Sequence, residues 1–172
     1  LATNDLDIAL LSYSSFPLAI QNANMQDLRI IADEFQDGAD GYFALANAIG
    51  RTSLTLGKKA RVQRATEIRV AALKAIELNP RHDGAFHVMG RWNAEIMRLS
   101  SIERFFAKSF LGGAVFSQAS WDNAVAYMKR AVDVRPEFIY HHYDLALIYI
   151  DTKQWSLARQ QLEQIPALPL ID

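Results

Sequence analysis

Four histidines, His82, His87, His141 and His142, are the side chains best suited to metal or proton chemistry. A helix-borne metal site needs two imidazoles at i, i+4, as in HExxH, so that both face one ion. None of the four has that spacing, and no metal is expected. His141–His142 stands between Tyr140 and Tyr143, where surface contact or core packing is expected. Cysteine is absent, which excludes thiolate metal sites, disulfides and a Cys nucleophile. There is no GxSxG, no phosphate-cradling glycine loop and no GxGxxG, so neither a nucleophile nor a cofactor is indicated. Glu95 and Glu103 are an acidic pair with nothing to place them across a cleft. Arg91, Glu95, Arg98, Glu103 and Arg104 read either as an ion network fixing one helix, or as a site where Arg91 or Arg98 meets an anionic head group. The reading is a binding protein, not an enzyme.

The bulk properties agree. The 172 residues suffice for one domain or a short solenoid, and 51% hydrophobic with 22% charged residues is ordinary for a folded protein. Net charge is −1, so no global field draws the chain to nucleic acid or an anionic membrane. Charge is uneven, however. Residues 1–40 carry seven acids and one base, whereas residues 51–74 carry seven bases and one acid. These are solvated or mutually packed faces, or the basic stretch is a phosphate-binding patch. That stretch has no interleaved aromatics to stack bases, which argues against nucleic acid. No apolar run approaches the ~20 residues that span a bilayer. The chain opens at Leu1 rather than Met, leaving room for a signal or anchor ahead of it, so cytoplasmic and exported locations both stay open.

Helical periodicity dominates, with Gly, Pro and Asn at junctions. Residues 6–20, apolar but broken by Ser12, Ser14, Ser15 and Pro17, read as a helix. Asn24 can cap a helix bearing Leu28, Ile31, Ala32 and Phe35, which Gly38 stops. After it a pattern recurs. Ile68, Ala72 and Ala75 precede Pro80, and Ala124, Met128 and Ala131 precede Pro136 at identical spacing. Ala158, Leu162 and Ile165 form a third copy, with Leu170 in the proline's place. The helices before them match too, as Tyr42, Leu45, Ala46, Ile49; Phe86, Met89, Gly90, Asn93; and His142, Leu145, Ala146, Tyr149. Small residues at Ala46, Gly90 and Ala146 let paired helices approach closely. A single pair cannot bury its apolar face, so the pairs must stack. The expected fold is all-α: a tetratricopeptide-like right-handed superhelix of antiparallel helix pairs with an inserted helix in the second repeat. Residues 1–38 would be an N-terminal helical segment packing on a repeat domain at 39–172, with repeats at about 39–80, 83–136 and 139–172. A plain helical bundle is the alternative.

The copies differ in length. Eight residues separate Tyr149 from Ala158, but eighteen separate Ile49 from Ile68, and thirty separate Asn93 from Ala124. Within the longest addition, Ser100 and Glu103 form a capping box. Ile102, Phe105, Phe106 and Phe110 share one face of the helix that follows, at about 101–111, before Gly112–Gly113 ends it. Ser120 can cap the next helix at Trp121. The aromatic helix either plugs the space between repeats or walls an apolar pocket.

Gly90–Arg91–Trp92, Ser101–Ile102–Glu103–Arg104, Phe110–Leu111–Gly112, Ala119–Ser120 and the run from Ala131 to Pro136 give this region its signature. The block resembles the regulator of microtubule dynamics family, whose members carry a GRW, an ER pair and an LFG-like stretch. The resemblance extends over roughly 39–165. It implies a tetratricopeptide-like adaptor and, in some relatives, a cavity holding phospholipid at membrane contacts. The membrane-anchoring and coiled-coil extensions of some animal members are missing here, and the first forty residues match none of the pattern. Microtubule binding is therefore not carried over, and a stand-alone, bacterial relative fits better.

Three functions compete. A protein or peptide partner would lie on a concave face lined by Tyr42, Asn47, Asn93, Tyr127 and Tyr149. A phospholipid or fatty-acid-like ligand would instead sit among Arg91, Trp92, Phe105, Phe106, Phe110 and Trp121. An oligomeric scaffold would use the apolar start, Ile8, Leu10, Leu11 and Phe16.

Overall fold

A computed structural model of the chain describes residues 38–53, 58–110 and 114–169. The expected N-terminal helices, the Gly112–Gly113 turn, Leu170 and the side chain of Phe110 fall outside the described residues. All regular structure among them is helical: α1 (Ala39–Ser53), α2 (Lys58–Leu78), α3 (Asp83–Arg98), α4 (Ser101–Phe110), α5 (Trp121–Val134), α6 (Ile139–Asp151) and α7 (Trp155–Gln164). Single 3₁₀ turns cover Ala114–Gln118 and Ile165–Ala167.

The most extensive packing joins α1 to α2, α3 to α5, and α6 to α7, and these three pairs stack in chain order through α2·α3 and α5·α6. Two apolar clusters lie at the two stacking junctions. One gathers Ala46, Val62, Ala71, Ala72, Met89, Trp92 and Ile96, closed by Ala107 and Phe116. The other gathers Phe86, Ala94, Ala124, Met128, Ala131, Leu145, Ile148, Tyr149 and Ala158. Helix α3 contributes to both, so each pair hides the oily side of its neighbour. The small residues act as the pattern requires: a Cβ on Gly90 would stand 2.9 Å from Met128 Cε and 3.1 Å from the Met128 backbone nitrogen.

Helix boundaries follow local chemistry. The Ser100 hydroxyl accepts from the Glu103 N–H at 3.2 Å, while the Glu103 carboxylate accepts from the Ser100 N–H at 3.0 Å, completing the capping box of α4. Ser120 caps α5 by accepting from the Asn123 N–H at 3.0 Å. His82, not foreseen as a cap, accepts the Ala85 N–H at Nδ1 and starts α3.

The α6–α7 turn is a Schellman motif: the Lys153 N–H donates to Ile150 O, the Gln154 N–H donates to Tyr149 O, and Lys153 sits at φ 59°. A Cβ in that left-handed region costs roughly 1 kcal/mol. Lys153→Gly is therefore expected to raise stability by about 0.5 kcal/mol, net of glycine's greater freedom when unfolded. An unchanged or lower urea midpoint would contradict this.

The added length goes to two places. Helix α2 runs 21 residues, the longest of the seven. The second addition is α4 and the 3₁₀ turn after it, which pack against each other. Asn93 anchors the return from this excursion: its Oδ1 accepts from the Ser120 N–H at 3.2 Å, while its Nδ2 donates to Met89 O.

Candidate functional site

Helices α1, α3 and α6 are the first members of their pairs, and α3 and α6 are joined along one surface by charged and polar side chains. On α3 these recur as Asp83, His87, Arg91 and Arg98, and on α6 as His141, Asp144 and Asp151. His141 Nε2 meets Asp83 Oδ2 at 2.9 Å, and His87 Nε2 meets Asp144 Oδ2 at 3.0 Å. The two imidazoles meet each other, Nδ1 to Nδ1, at 2.9 Å. Arg91 lies 3.6 Å from Asp144, and Arg135 lies 3.8 Å from Asp83. Farther along, Arg98 donates through Nε and Nη2 to Asp151 and through Nη1 to Glu95.

The electrostatics follow from this pairing. Burial pushes the Asp83 carboxyl up, but the His141 hydrogen bond and charge, the Gly84 N–H and Arg135 together hold it below its ordinary value. Asp144 is likewise raised by burial and brought below its ordinary value by His87, Arg91 and Arg98. Burial lowers His141, helped by His87 and Arg135 and opposed by Asp83. Beside this seam two aromatic side chains of α6 face outward, Tyr140 at 64% exposure and Tyr143 at 46%. Arg91 is exposed as well.

The residues singled out from sequence divide. Asn93 is 1% exposed, with one hydrogen bond to Met89 and one from Ser120, so it holds the fold and is not presented on an open groove. Tyr149 is buried, which raises its phenol, and Tyr127 is half-buried between the two clusters with its ring 6.4 Å from Phe86. Tyr42 packs on the first cluster and Asn47 is half-buried on the same helix. Trp92 lies in the first cluster, its Nε1 donating to Ala65 O at 2.7 Å and its ring edge-on to Phe116 at 6.2 Å. Trp121 packs on the second.

The aromatic helix does not join these residues in one pocket. Ala107 turns inward, while Ile102, Phe105 and Phe106 are 69%, 60% and 53% exposed. The ion network expected around it also forms differently. Arg104 donates to Met97 O and Leu99 O, closing the end of α3, and Arg98 reaches α6. What the spacing missed is the His87–His141 contact across 54 positions and the outward Tyr140 and Tyr143. The flanking of His141–His142 by two tyrosines was the available signal.

A profile described as Regulator of microtubule dynamics protein 1-3 matches residues 31–172, most of the chain. The chain belongs to the regulator of microtubule dynamics family. Within 82 residues it is 33% identical to Regulator of microtubule dynamics protein 1 of Pongo abelii, a match covering 48% of this chain and 26% of that protein. The chain therefore spans about a quarter of this family relative. A solved monomeric mutant of IFIT1 with Gppp-AAAA superposes with TM-score 0.65 over 92% of this chain and 34% of that one. At 14% identity this similarity speaks for the fold alone, a solenoid of helix pairs. No helix among the described residues of this family member is long and apolar enough to cross a membrane. Nor does any group of three His, Asp or Glu among them form a metal site.

Proposed function

We propose that the chain is a non-catalytic interaction module whose α3–α6 surface takes a protein or peptide partner. The observation that carries this reading is the outward Tyr140 and Tyr143, on the same helix as the Asp144 that exposed Arg91 approaches, on a surface stiffened by cross-helix ion pairs. Tyrosine and arginine on a rigid face are the residue types that dominate binding energy at interfaces, because they bury much area at small entropic cost. Membership of the regulator of microtubule dynamics family, on a fold of stacked helix pairs, supports the same reading.

The test is quantitative affinity capture with the wild-type chain and a Tyr140→Ala/Tyr143→Ala variant, followed by titration of the captured partner. Two hot spots predict at least a tenfold to hundredfold loss of affinity, at about 1.4 kcal/mol per decade. Thermal stability should stay within about 0.5 kcal/mol for Tyr140, and fall by no more than about 1 kcal/mol for half-exposed Tyr143. Equal binding by the variant would refute this surface.

A second reading is favoured by one observation, the exposed Ile102, Phe105 and Phe106 on α4. Such an apolar surface suits a phospholipid or other apolar ligand. With Trp92 and Trp121 taken up by core packing, that ligand would lie on the face of α4. Native mass spectrometry of gently extracted protein should then show bound lipid that Phe106→Asp removes. A clean apo mass would discard it.

A further inference from the structure

Asp83, His141, His87 and Asp144 form one line of three contacts, at 2.9, 2.9 and 3.0 Å, running from α3 to α6, back to α3 and again to α6. Each contact joins two groups whose facing atoms carry lone pairs, so each needs one proton between them. Both carboxyls are held below their ordinary values, so they are ionised and supply none. Two neutral imidazoles carry one N–H each. Three contacts need three protons, and two neutral rings supply two. The line closes only when the pair of rings holds one extra proton.

A metal ion is a poor substitute for that proton. Two bonds of about 2.0–2.1 Å at a tetrahedral angle would hold the nitrogens about 3.3 Å apart. The observed 2.9 Å is a hydrogen-bond separation.

We infer that the Asp83–His141–His87–Asp144 line is a proton-operated clasp, which draws α3 and α6 together by binding one proton between His87 and His141. His141, at 1% exposure the more buried ring, is the neutral acceptor. Its value, lowered first by burial, agrees with that role. His87, less buried and beside Asp144, carries the charge and donates from both nitrogens.

The charged groups around the pair come from every neighbouring element. Asp83, Arg91 and Arg98 lie on α3, Asp144 on α6, and Arg135 with its own partner Glu137 on the turn after α5. His82 faces Asp40, and His142 faces Pro136 O and Gln161, so neither of these two rings is part of the line.

The sign of the pH dependence follows from counting protons. With the helices apart, the two rings bind none at high pH and two at low pH, whereas the closed line binds one. Raising pH removes the shared proton and slackens the clasp. Lowering pH through the depressed value of His141 puts a second proton on it, sets donor against donor and slackens the clasp again. The α3–α6 contact is thus tightest over an intermediate window.

The experiment is a pH titration of the full chain, with ring ¹⁵N shifts read for each histidine and amide exchange read along α3 and α6. The expected result is one coupled step shared by His87 and His141, with His141 protonated at Nε2 throughout it. Amide protection on α3 and α6 should be greatest where the pair holds one proton. His87→Gln should flatten that dependence. Asp144→Asn, which keeps shape but removes the charge stabilising His87, should shift loss of the shared proton to lower pH, with its affinity down at least tenfold. Independent titration of the two rings at ordinary values, or α3 and α6 protection that does not follow their coupled step, would overturn the clasp.

Discussion

Trp92→Ala is expected to destabilise the chain by about 3–5 kcal/mol, the range for deleting a large buried aromatic side chain. Against a total of about 5–15 kcal/mol for a domain, that brings the protein near unfolding at ambient temperature. Three contacts are lost together. The indole fills the junction among α2, α3 and the 3₁₀ turn, its Nε1 donates to Ala65 O, and the Arg69 guanidinium lies 5.6 Å above its ring. Trp92→Phe separates these contributions, because it keeps most of the apolar area and gives up the hydrogen bond. It should cost about 1–2 kcal/mol. Urea melts followed by circular dichroism measure both. The result also bears on function: a tryptophan lining a ligand pocket would lose ligand on truncation and leave the melt nearly unmoved. A Trp92→Ala midpoint equal to wild type would return this residue to the list of binding candidates.

Trp92 shows where sequence reading reaches its limit. The repeat, its junctions at Pro80 and Pro136, the caps at Ser100 and Ser120 and the small residues at Ala46, Gly90 and Ala146 were legible, because each is a local signal. Which face of a helix meets solvent is not local once the helix packs between two others. Helix α3 contributes Met89, Trp92 and Ile96 to one cluster and Phe86 and Ala94 to the other, leaving a narrow outward stripe around His87 and Arg91. Asn93 and Tyr149 fall on the recurring face itself, at the position Ile49 holds in the first pair, and both are buried there despite their polar ends. On α4 the amphipathy was correct as to helix and wrong as to direction: the short Ala107 side meets the core, and Ile102, Phe105 and Phe106 face out. The His87–His141 contact depends on the register between stacked pairs, which no short-range spacing encodes.

The close approach of α3 to α5 rests on Gly90, where the second large effect is expected. Alanine there gains about 0.5–1 kcal/mol of helix propensity. The new Cβ, however, would lie 2.9 Å from Met128 Cε, 3.1 Å from Met128 Cβ and 3.1 Å from the Met128 backbone nitrogen. The methyl end of Met128 can swing aside, but the backbone of α5 cannot move without carrying the helix. Gly90→Ala is expected to cost about 1–3 kcal/mol net, and Gly90→Leu more, as overpacking does in a close-packed interior. Met128→Ala errs in the opposite direction and should cost about 2–5 kcal/mol through the void it leaves. Combined, the alanine at 90 occupies part of the space vacated at 128. The double variant should then be more stable than the sum of the single effects predicts, by on the order of 1 kcal/mol. Strict additivity in the urea cycle would mean that the Met128 side chain beyond Cβ takes no part in the crowding. The size of the shortfall separates side-chain crowding, which the double variant relieves, from backbone crowding, which it keeps. Because α5 leads directly into the turn bearing Arg135 and then into α6, a backbone contribution would also displace the surface that carries Tyr140, Tyr143 and the histidine pair. Gly90→Ala would then weaken partner binding and the histidine coupling together, although it touches neither.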